Sequence, residues 1–328
     1  MKKLVALALA LIMALGLAAC GSAGSNEDTK WPEKNIDLIV PFAPGGAMDR
    51  SARLTAKYLE KELGVTISVK NVEGGNNWVG YGQVLNAKGD GYTLGFSNYP
   101  GQVGGYLNPS AGIQFTYKSF TNIADIVHDP GIIAVKYDSP YKTLDDLIEA
   151  GKKEALSIST GGGAGSDDDV LVTLLNKRFG TQFVSGRDKG DSDAAAAMLG
   201  GHVAAQACNV SNYALKYKNT EGADAVRILA VFNDERVELM SDIPTAKELG
   251  YDLSSSSDRG MVACKDLDKA VLNKLVDALK KVQENPDFQK EASEQGMVIN
   301  MLFGEDFEKY IQGVEDTLNS MKKELGWE

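Results

Sequence analysis

The sequence IDLIV at residues 36–40 runs directly into PFAPGGA at residues 41–47. A short apolar run rich in branched residues predicts a buried strand, and Pro and Gly end it because they fit neither a strand ladder nor a helix. From Met48 to Leu63, apolar residues recur every three or four positions, and Gly64 follows as a stop signal. The stretch therefore predicts a strand, a glycine-rich loop and a helix, in that order.

The same pattern recurs along the chain. A strand at 65–69 leads into the glycine-rich stretch 71–80, and a strand at 156–159 leads into the loop 160–166 and a helix through Arg178. This alternation predicts an α/β fold in which helices flank mainly parallel sheets. The remaining predicted elements are strands at 93–96 (closed by residues 97–101), 132–135 and 228–232, and helices at 143–152, 267–283 and 305–323.

Three glycine-rich loops, at 43–47, 74–80 and 160–166, each lie between the end of a strand and the start of a helix. Ligands of open α/β sheets bind outside those strand ends. The start of a helix has unpaired N–H groups and about half a positive charge, so it attracts anions without a basic side chain. The loops together therefore predict one cleft for an anion, although a single such loop is more often an ordinary tight turn. Residues 160–166 lack the Lys of a phosphate-binding P-loop.

The N-terminal residues have the features of an export signal. Met1, Lys2 and Lys3 form a positive region, residues 4–17 are apolar, and Leu-Ala-Ala precedes Cys20. The apolar run is shorter than the roughly 20 residues of a spanning helix. Because Leu-Ala-Ala-Cys resembles the bacterial lipobox, in which the Cys sulfur carries diacylglycerol, we expect a lipoprotein signal peptide at 1–19 and a lipidated tether at 20–30. The alternative is a cleaved signal with a spare thiol.

Composition excludes several classes of function. The chain has 45 acidic and 34 basic residues, with a formal net charge of −11, so nucleic acid is not an expected partner. The chain has two histidines, His128 and His202, but neither the motif of a nucleophile elbow nor a spaced set of metal ligands. We therefore predict that the protein is not an enzyme and binds no cofactor or metal. Cys208 and Cys264 could form one disulfide in an exported chain. The roughly 300 residues that follow the leader favour two lobes.

The stretch Pro41-Phe42-Ala43-Pro44-Gly45-Gly46-Ala47-Met48-Asp49 resembles the opening motif of the tripartite tricarboxylate transporter receptors, or Bug receptors, which usually read Pro-Phe-x-Pro-Gly-Gly-x-x-Asp. The family's later motifs are matched in the same order. Those matches are at residues 71–80, 90–94, 159–163, 189–190, 199–203 and 242–245.

This resemblance implies a type II periplasmic-binding-protein fold with a ligand cleft between two lobes, one of residues 31–130 plus 252–328 and one of residues 131–251. It implies a monomeric, extracytoplasmic receptor at the cell membrane that passes a small carboxylate to a membrane transporter. Backbone amides and ordered water around the first loop would hold the carboxylate, and we expect Asp49 to cap or brace that loop. The candidate ligand-binding residues are Phe42, Gly45, Gly46, Ala47, Asp49, Asn76, Asn77, Trp78, Ser97, Asn98, Ser159, Thr160, Gly161, Ser166 and Asn209.

Some residues depart from the family pattern. Trp78 stands near a usual Asn, where it could contact an apolar part of the ligand or pack on its own lobe. Residues 167–169 are three Asp where relatives often have a His, and they could start a solvated helix, repel a highly charged anion or pair with a ligand ammonium. Arg187 could reach a second carboxylate or lie on the surface. These differences favour a mono- or dicarboxylate over citrate, with an amino acid among the candidates.

Two other functions remain open at this stage. A ligand-sensing receptor that signals through a partner would share every feature above. An extracytoplasmic enzyme acting on a carboxylate is the weaker alternative, since His128 is favoured as a structural residue and His202 as an exposed one.

Overall fold

Two mixed β-sheets organise the residues that the structure, a computed structural model, describes: 30–75, 77–161 and 165–328. The first sheet has the order β11-β4-β10-β3-β1-β2, and the second has the order β7-β6-β8-β5-β9. Residues 32–328 form one compact unit. The strands are β1 Ile36–Val40, β2 Ile67–Asn71, β3 Thr93–Asn98, β4 Phe120–Val127, β5 Gly131–Lys136, β6 Leu156–Thr160, β7 Phe183–Ser185, β8 Ala205–Asn209, β9 Val226–Phe232, β10 Arg259–Cys264 and β11 Ile299–Phe303.

Helices follow most of these strands. In chain order they are α1 Ala47–Leu63, α2 Trp78–Leu85, α3 Tyr99–Leu107, α4 Leu144–Lys153, α5 Asp167–Phe179, α6 Asp191–Leu199, α7 Val210–Tyr213, α8 Lys269–Glu284, α9 Pro286–Glu294, α10 Gly304–Ser320 and α11 Lys322–Leu325. None of the helices in the described ranges combines the length and apolarity that crossing a bilayer requires.

The first predicted strand lies inside the first sheet. Leu38 of β1 pairs in parallel with Val69 of β2 on one side and with Leu94 of β3 on the other. Four of the five residues of β1 are buried, as expected for a central strand of a sheet whose two faces are covered by helices, and this explains the apolar sequence at 36–40. Helix α1 ends at Gly64, which adopts a left-handed conformation (φ 73°) and donates its N–H to the Glu60 carbonyl.

Three strands oppose the direction of their neighbours. In the first sheet β10 pairs antiparallel with β3 and β4, and β11 pairs antiparallel with β4. In the second sheet β5 pairs antiparallel with β8 and β9. The other strands of each sheet run in one direction. The sheets are therefore mixed, with four parallel and five antiparallel strand pairs, where we predicted mainly parallel sheets. Our sequence prediction contained none of β4, β7, β8, β10 and β11.

The region after β3 differs from the prediction. We expected residues 97–101 to close the strand, but β3 includes Ser97 and Asn98, and helix α3 begins at Tyr99. The Asn98 side chain accepts a hydrogen bond from the Gly101 N–H, and Pro100 lies in the first turn. Pro is favoured at a helix start because its missing N–H would have no partner there. The second predicted strand also shifts by two residues, from 65–69 to Ile67–Asn71.

The chain crosses between the sheets twice, and the two crossing segments contact each other. The first crossing joins β4 to β5 at residues 128–130, and the second reaches β10 through the serine run at 254–257. Pro130 and Ser256 form an antiparallel bridge, and the Ser257 N–H donates to the Asp129 carbonyl at 2.8 Å. The serine run is therefore part of the second crossing segment.

An aromatic cluster packs beneath the ends of β1 and β3. The rings of Tyr99 and Phe307 meet edge to face with centroids 4.8 Å apart, and those of Tyr81 and Phe120 meet edge to face at 6.0 Å. Such pairs stabilise a core beyond the area that they bury. The cluster holds α2 and α3 against the first sheet.

The two remaining cysteines do not form the disulfide that we left open. Cys208 lies in β8 of the second sheet and Cys264 in β10 of the first, and both are buried free thiols.

Helix α2 offers a matched pair of glycines. A Cβ on Gly80 would lie 2.6 Å from the Pro41 Cβ and 2.9 Å from the Val72 carbonyl, whereas a Cβ on Gly82 would meet no atom within 4 Å. Gly80→Ala should therefore destabilise the protein by about 1 to 3 kcal/mol through overpacking. Gly82→Ala should stabilise it by up to about 1 kcal/mol through helix propensity. Urea unfolding of both variants checks this, and equal shifts for the two would contradict the packing described here.

Candidate ligand-binding site

A cavity of about 170 Å³ lies between the loops of the two sheets. Ligand pockets for drug-sized molecules are roughly 300 to 1,000 Å³, so this cavity suits a smaller molecule. Its lining consists of Phe42, Ala43, Gly46, Ala47, Met48, Asn77, Trp78, Tyr81, Asn98, Gly101, Gln102, Gly161, Gly165, Ser166, Asp167, Asp168, Lys189, Gly190, Asp191, Asn209, Ser257 and Arg259.

The first glycine-rich loop brings the start of α1 to the cavity. Phe42, Gly46 and Ala47 line it, and no side chain caps the helix at Gly46. The first N–H groups of a helix have no partner within the helix. Gly45 has φ 81°, a conformation that favours glycine, and it lines a neighbouring groove that shares Gly46 and Ala47 with the cavity.

Asp49 braces this loop from behind and does not line the cavity. Its carboxylate accepts the Gly45 N–H at 2.8 Å, the Asn71 amide at 2.9 Å and the Arg53 guanidinium at 2.9 Å. Asn71 also donates to the Phe42 carbonyl at 3.0 Å. Although burial opposes ionisation, these hydrogen bonds lower the pKa of Asp49. A charged Asp49 therefore holds the loop in one conformation, as the sequence led us to expect.

The second glycine-rich loop places the start of α2 at the cavity. Asn77 and Trp78 line the cavity, and Asn77 precedes the helix without a side-chain cap. The Trp78 ring packs against Tyr81 with centroids 5.2 Å apart, and a Cβ on Gly105 would lie 3.2 Å from it. Trp78 thus packs on its own lobe while facing the cavity, which combines its two interpretations. Asn76 lies outside the described residues.

Gln102 lines the cavity from α3 and was not among the predicted site residues. It is 2 % exposed, and neither its amide oxygen nor its amide nitrogen has a hydrogen-bond partner in the described structure. A buried amide without partners is costly, and such a group in a cavity wall indicates a ligand contact. Sequence reasoning missed Gln102 because it assigned residues 97–101 to a strand-closing turn and did not predict α3.

Of the two predicted site residues at the end of β3, one lines the cavity and the other does not. Asn98 lines the cavity and donates from its amide to the Ser257 hydroxyl at 2.5 Å. Ser97 is fully buried behind the wall, and its hydroxyl donates to the Tyr81 hydroxyl at 3.2 Å.

The third loop has its own hydrogen-bond acceptors. The Gly161 N–H donates to Asp168 at 3.4 Å, and the Gly165 N–H donates to Asp169 at 2.9 Å. Ser166 lines the cavity and caps α5 by accepting the Asp169 N–H. These amides bind carboxylates of the chain itself, as the Gly45 N–H of the first loop does. The third loop differs from the first two in the side-chain cap of its helix and in the three aspartates of the first turn.

Two predicted donors from β6 also have partners inside the protein. The Ser159 hydroxyl donates to the Asp188 carboxylate, and the Thr160 hydroxyl lies 3.2 Å from that of Ser185. Neither Ser159 nor Thr160 lines the cavity, whereas Gly161 does.

Three carboxylates line the cavity on the side of the second sheet: Asp167 and Asp168 at the start of α5, and Asp191 at the start of α6. Asp168 is 5 % exposed, so our expectation of a solvated helix start was wrong. Burial raises the pKa of Asp167 to about 6. Burial, together with the carboxylates of Asp167 and Asp191, raises the pKa of Asp168 well above its usual range.

A buried arginine lines the cavity from the first sheet. Arg259 is 1 % exposed, its guanidinium pairs with Asp129, and its Nε has no hydrogen-bond partner in the described ranges. Asn209 lies beside this pair and donates to the Asp129 carbonyl at 3.2 Å and to the Asp167 carboxylate at 3.0 Å. Of these residues, only Asn209 was among the predicted site residues.

Other residues that the sequence singled out lie elsewhere. Arg187 is largely exposed and pairs with Asp169 at 3.1 Å, so it belongs to the surface. His128 is bound to Asp258 at 2.6 Å next to the crossing segments, and His202 is exposed. The described residues hold no group of three or more His, Cys, Asp or Glu side chains placed to bind a metal ion.

Known proteins share both the sequence pattern and the fold. Residues 51–326 match the family described as "Tripartite tricarboxylate transporter family receptor". Protein BugT of Bordetella pertussis is 31 % identical over 246 residues, which cover 73 % of this chain and 73 % of BugT.

Solved structures agree with the two-lobed α/β fold. The periplasmic binding protein BugD is 27 % identical, with a TM-score of 0.78 over 91 % of this chain and 99 % of BugD. A Rhodopseudomonas palustris protein solved with adipate is 21 % identical, with a TM-score of 0.80 over 90 % of this chain and 98 % of that protein. The predicted periplasmic-binding-protein fold is thus confirmed, and this chain belongs to the tripartite tricarboxylate transporter receptor family.

Proposed function

We propose that this protein is an extracytoplasmic, lipid-anchored receptor that captures a small organic carboxylate and delivers it to a tripartite tricarboxylate-type membrane transporter. The supporting observation is that the first-sheet wall of the cavity combines two helix starts without side-chain caps, the buried Arg259 and the unpartnered Gln102. All of these are donors that suit an anion.

Tight binding of an anion requires several of these groups to act together. One helix start contributes about 0.3 to 2 kcal/mol to the binding of an anion, whereas micromolar affinity corresponds to roughly 8 kcal/mol. Hydrogen bonds to a charged group contribute about 1.5 to 3 kcal/mol each. Helix starts, the Gln102 amide and the Arg259 Nε together, in a cavity sheltered from water, reach that range.

The cavity also supports the chemical class of the ligand. Its volume of about 170 Å³ suits a molecule smaller than a typical drug. The related Rhodopseudomonas palustris protein was solved with adipate, a small dicarboxylate. We infer that a carboxylate lies against Gly46, Ala47 and Asn77, with ordered water completing its hydrogen bonds.

Capture would occur by closure of two lobes, residues 31–130 plus 252–328 and residues 131–251. The strands of the first sheet all fall in the first set and those of the second sheet in the second. The segments at 128–130 and 254–258 connect strands of the two sheets near the cavity, so they are the natural hinge. We infer that the receptor acts as a monomer, binds without catalysis and needs no cofactor.

Binding is tested by calorimetric titration of the purified protein with carboxylic acids of three to six carbons. Gln102→Leu keeps the size of the side chain but removes both amide atoms, so affinity for the best ligand should fall about 10- to 100-fold. Gln83→Leu, on the exposed face of α2, is the matched control and should bind like the wild type. A wild-type protein that binds no acid of the panel, or binds only tricarboxylates, would contradict the proposal.

Anchoring is tested by palmitate labelling of cells that express the full-length chain. The wild type should incorporate label and sediment with membranes, because two acyl chains on Cys20 would hold a folded domain on the bilayer. Cys20→Ala should lose both properties, while Cys208→Ala, which removes a buried thiol, should keep them. Unlabelled wild-type protein would show that Cys20 is only a spare thiol.

A further inference from the structure

The two walls of the cavity differ in charge. The first-sheet wall presents the starts of α1 and α2, Gln102 and Arg259, whereas the second-sheet wall presents three carboxylates. The charged and titratable groups that line the cavity are Asp167, Asp168, Asp191, Lys189, Arg259 and Tyr81. Arg259 is already paired with Asp129, so Lys189 is the one cation in this described lining that is not held in a buried ion pair.

Asp168 is buried and Asp167 and Asp191 are half-buried, and none of the three forms an ion pair within the described residues. Asp168 receives the neutral Gly161 N–H at 3.4 Å, and its Oδ1 has no hydrogen-bond partner among the described residues. Asp167 receives the neutral Asn209 amide at 3.0 Å. Burying a carboxylate is costly unless a cation or a proton neutralises it. Asp168 Oδ1 on one wall and the Gln102 amide on the other are therefore unsatisfied polar groups facing one cavity.

We propose that the ligand carries an ammonium group as well as a carboxylate, and that Asp167, Asp168 and Asp191 bind the ammonium while the first-sheet wall binds the carboxylate. The proposal rests on the proposed function and narrows its substrate class to amino acids or similar zwitterions. A zwitterion matches both walls. A plain dicarboxylate matches the first wall but brings a second negative charge to the three carboxylates, unless they are protonated.

The carboxylates also specify which way protons move on binding. Burial raises the pKa of Asp167 to about 6, so near pH 6 this group is partly protonated in the empty protein. An ammonium beside it favours the ionised form, and binding then releases protons. A second ligand carboxylate favours the protonated form, and binding then takes up protons. The direction of proton transfer therefore distinguishes the two ligand classes.

The experiment uses matched pairs of acids that differ by one amine, such as aspartate with succinate and 2-aminobutyrate with butyrate, extended over three to six carbons. Calorimetry at pH 6 in buffers of different ionisation enthalpy gives both affinity and proton transfer. The best amine-bearing member should bind at least 10-fold more tightly than its amine-free partner and should release protons.

The variant Asp168→Asn tests the assigned residues. It should lower the affinity for the amine-bearing ligand at least 10-fold and reduce or reverse the preference over the amine-free partner. Asp193→Asn is the matched control, because Asp193 lies in the first turn of α6 but is exposed and does not line the cavity. If Asp168→Asn does not fold, the same measurements are made on Asp167→Asn and Asp191→Asn, with the same expected result.

Several outcomes would overturn the inference. Tighter binding of the amine-free acids with proton uptake would show that the carboxylates are protonated donors to a second ligand carboxylate, while the proposed function would stand. Binding of Mg²⁺ or Ca²⁺ that depends on Asp168 would assign the carboxylates to a metal instead. A protein that binds neither series would overturn the proposed function and this inference together.

Discussion

The ion pair between Arg259 and Asp129 holds together the region on which the site depends. Asp129 lies where the chain leaves the first sheet, and Arg259 begins the strand that returns to it. Asp129 also accepts the N–H of Ser211 at 2.9 Å and its hydroxyl at 2.5 Å. Both charges are almost fully buried, and removing one partner of such a pair typically costs about 3 to 5 kcal/mol. The pair therefore joins both crossings and the end of β8 at one point beside the cavity.

This junction also determines the electrostatics of the site. Because Asp129 neutralises Arg259, the arginine can be buried in the cavity wall without an exposed counter-ion. Its remaining Nε then contributes to the first-sheet wall together with the starts of α1 and α2. On the opposite wall, burial raises the pKa values of Asp167 and Asp168, and the neighbouring carboxylates raise that of Asp168 further. The two walls of the cavity therefore differ in charge.

The three glycine-rich loops show how one sequence pattern produces different walls. The first and second loops end in helices whose starts lack side-chain caps. In the second, the Trp78 and Val79 N–H groups donate to the Gly75 and Gly74 carbonyls. The third ends in a helix that is capped by Ser166 and whose first turn is three aspartates. The N–H groups of Gly161 and Gly165 bind those aspartates. Side chains a few residues after each loop, rather than the glycines, decide whether a loop favours an anion or a cation.

The sequence by itself determined the α/β class and the first strand, loop and helix, because each depends on local periodicity and on Pro and Gly signals. The family resemblance, carried by the motifs in the sequence, named nine of the residues that line the cavity, among them Phe42, Gly46 and Trp78. It did not locate Arg259 or Gln102, because β10 was not predicted and residues 97–101 were assigned to a strand-closing turn in place of the start of α3. Nor did it show that Asp168 is buried. Only the tertiary structure decided these features, since burial and pairing depend on contacts between segments more than a hundred residues apart, such as Asp129 and Arg259.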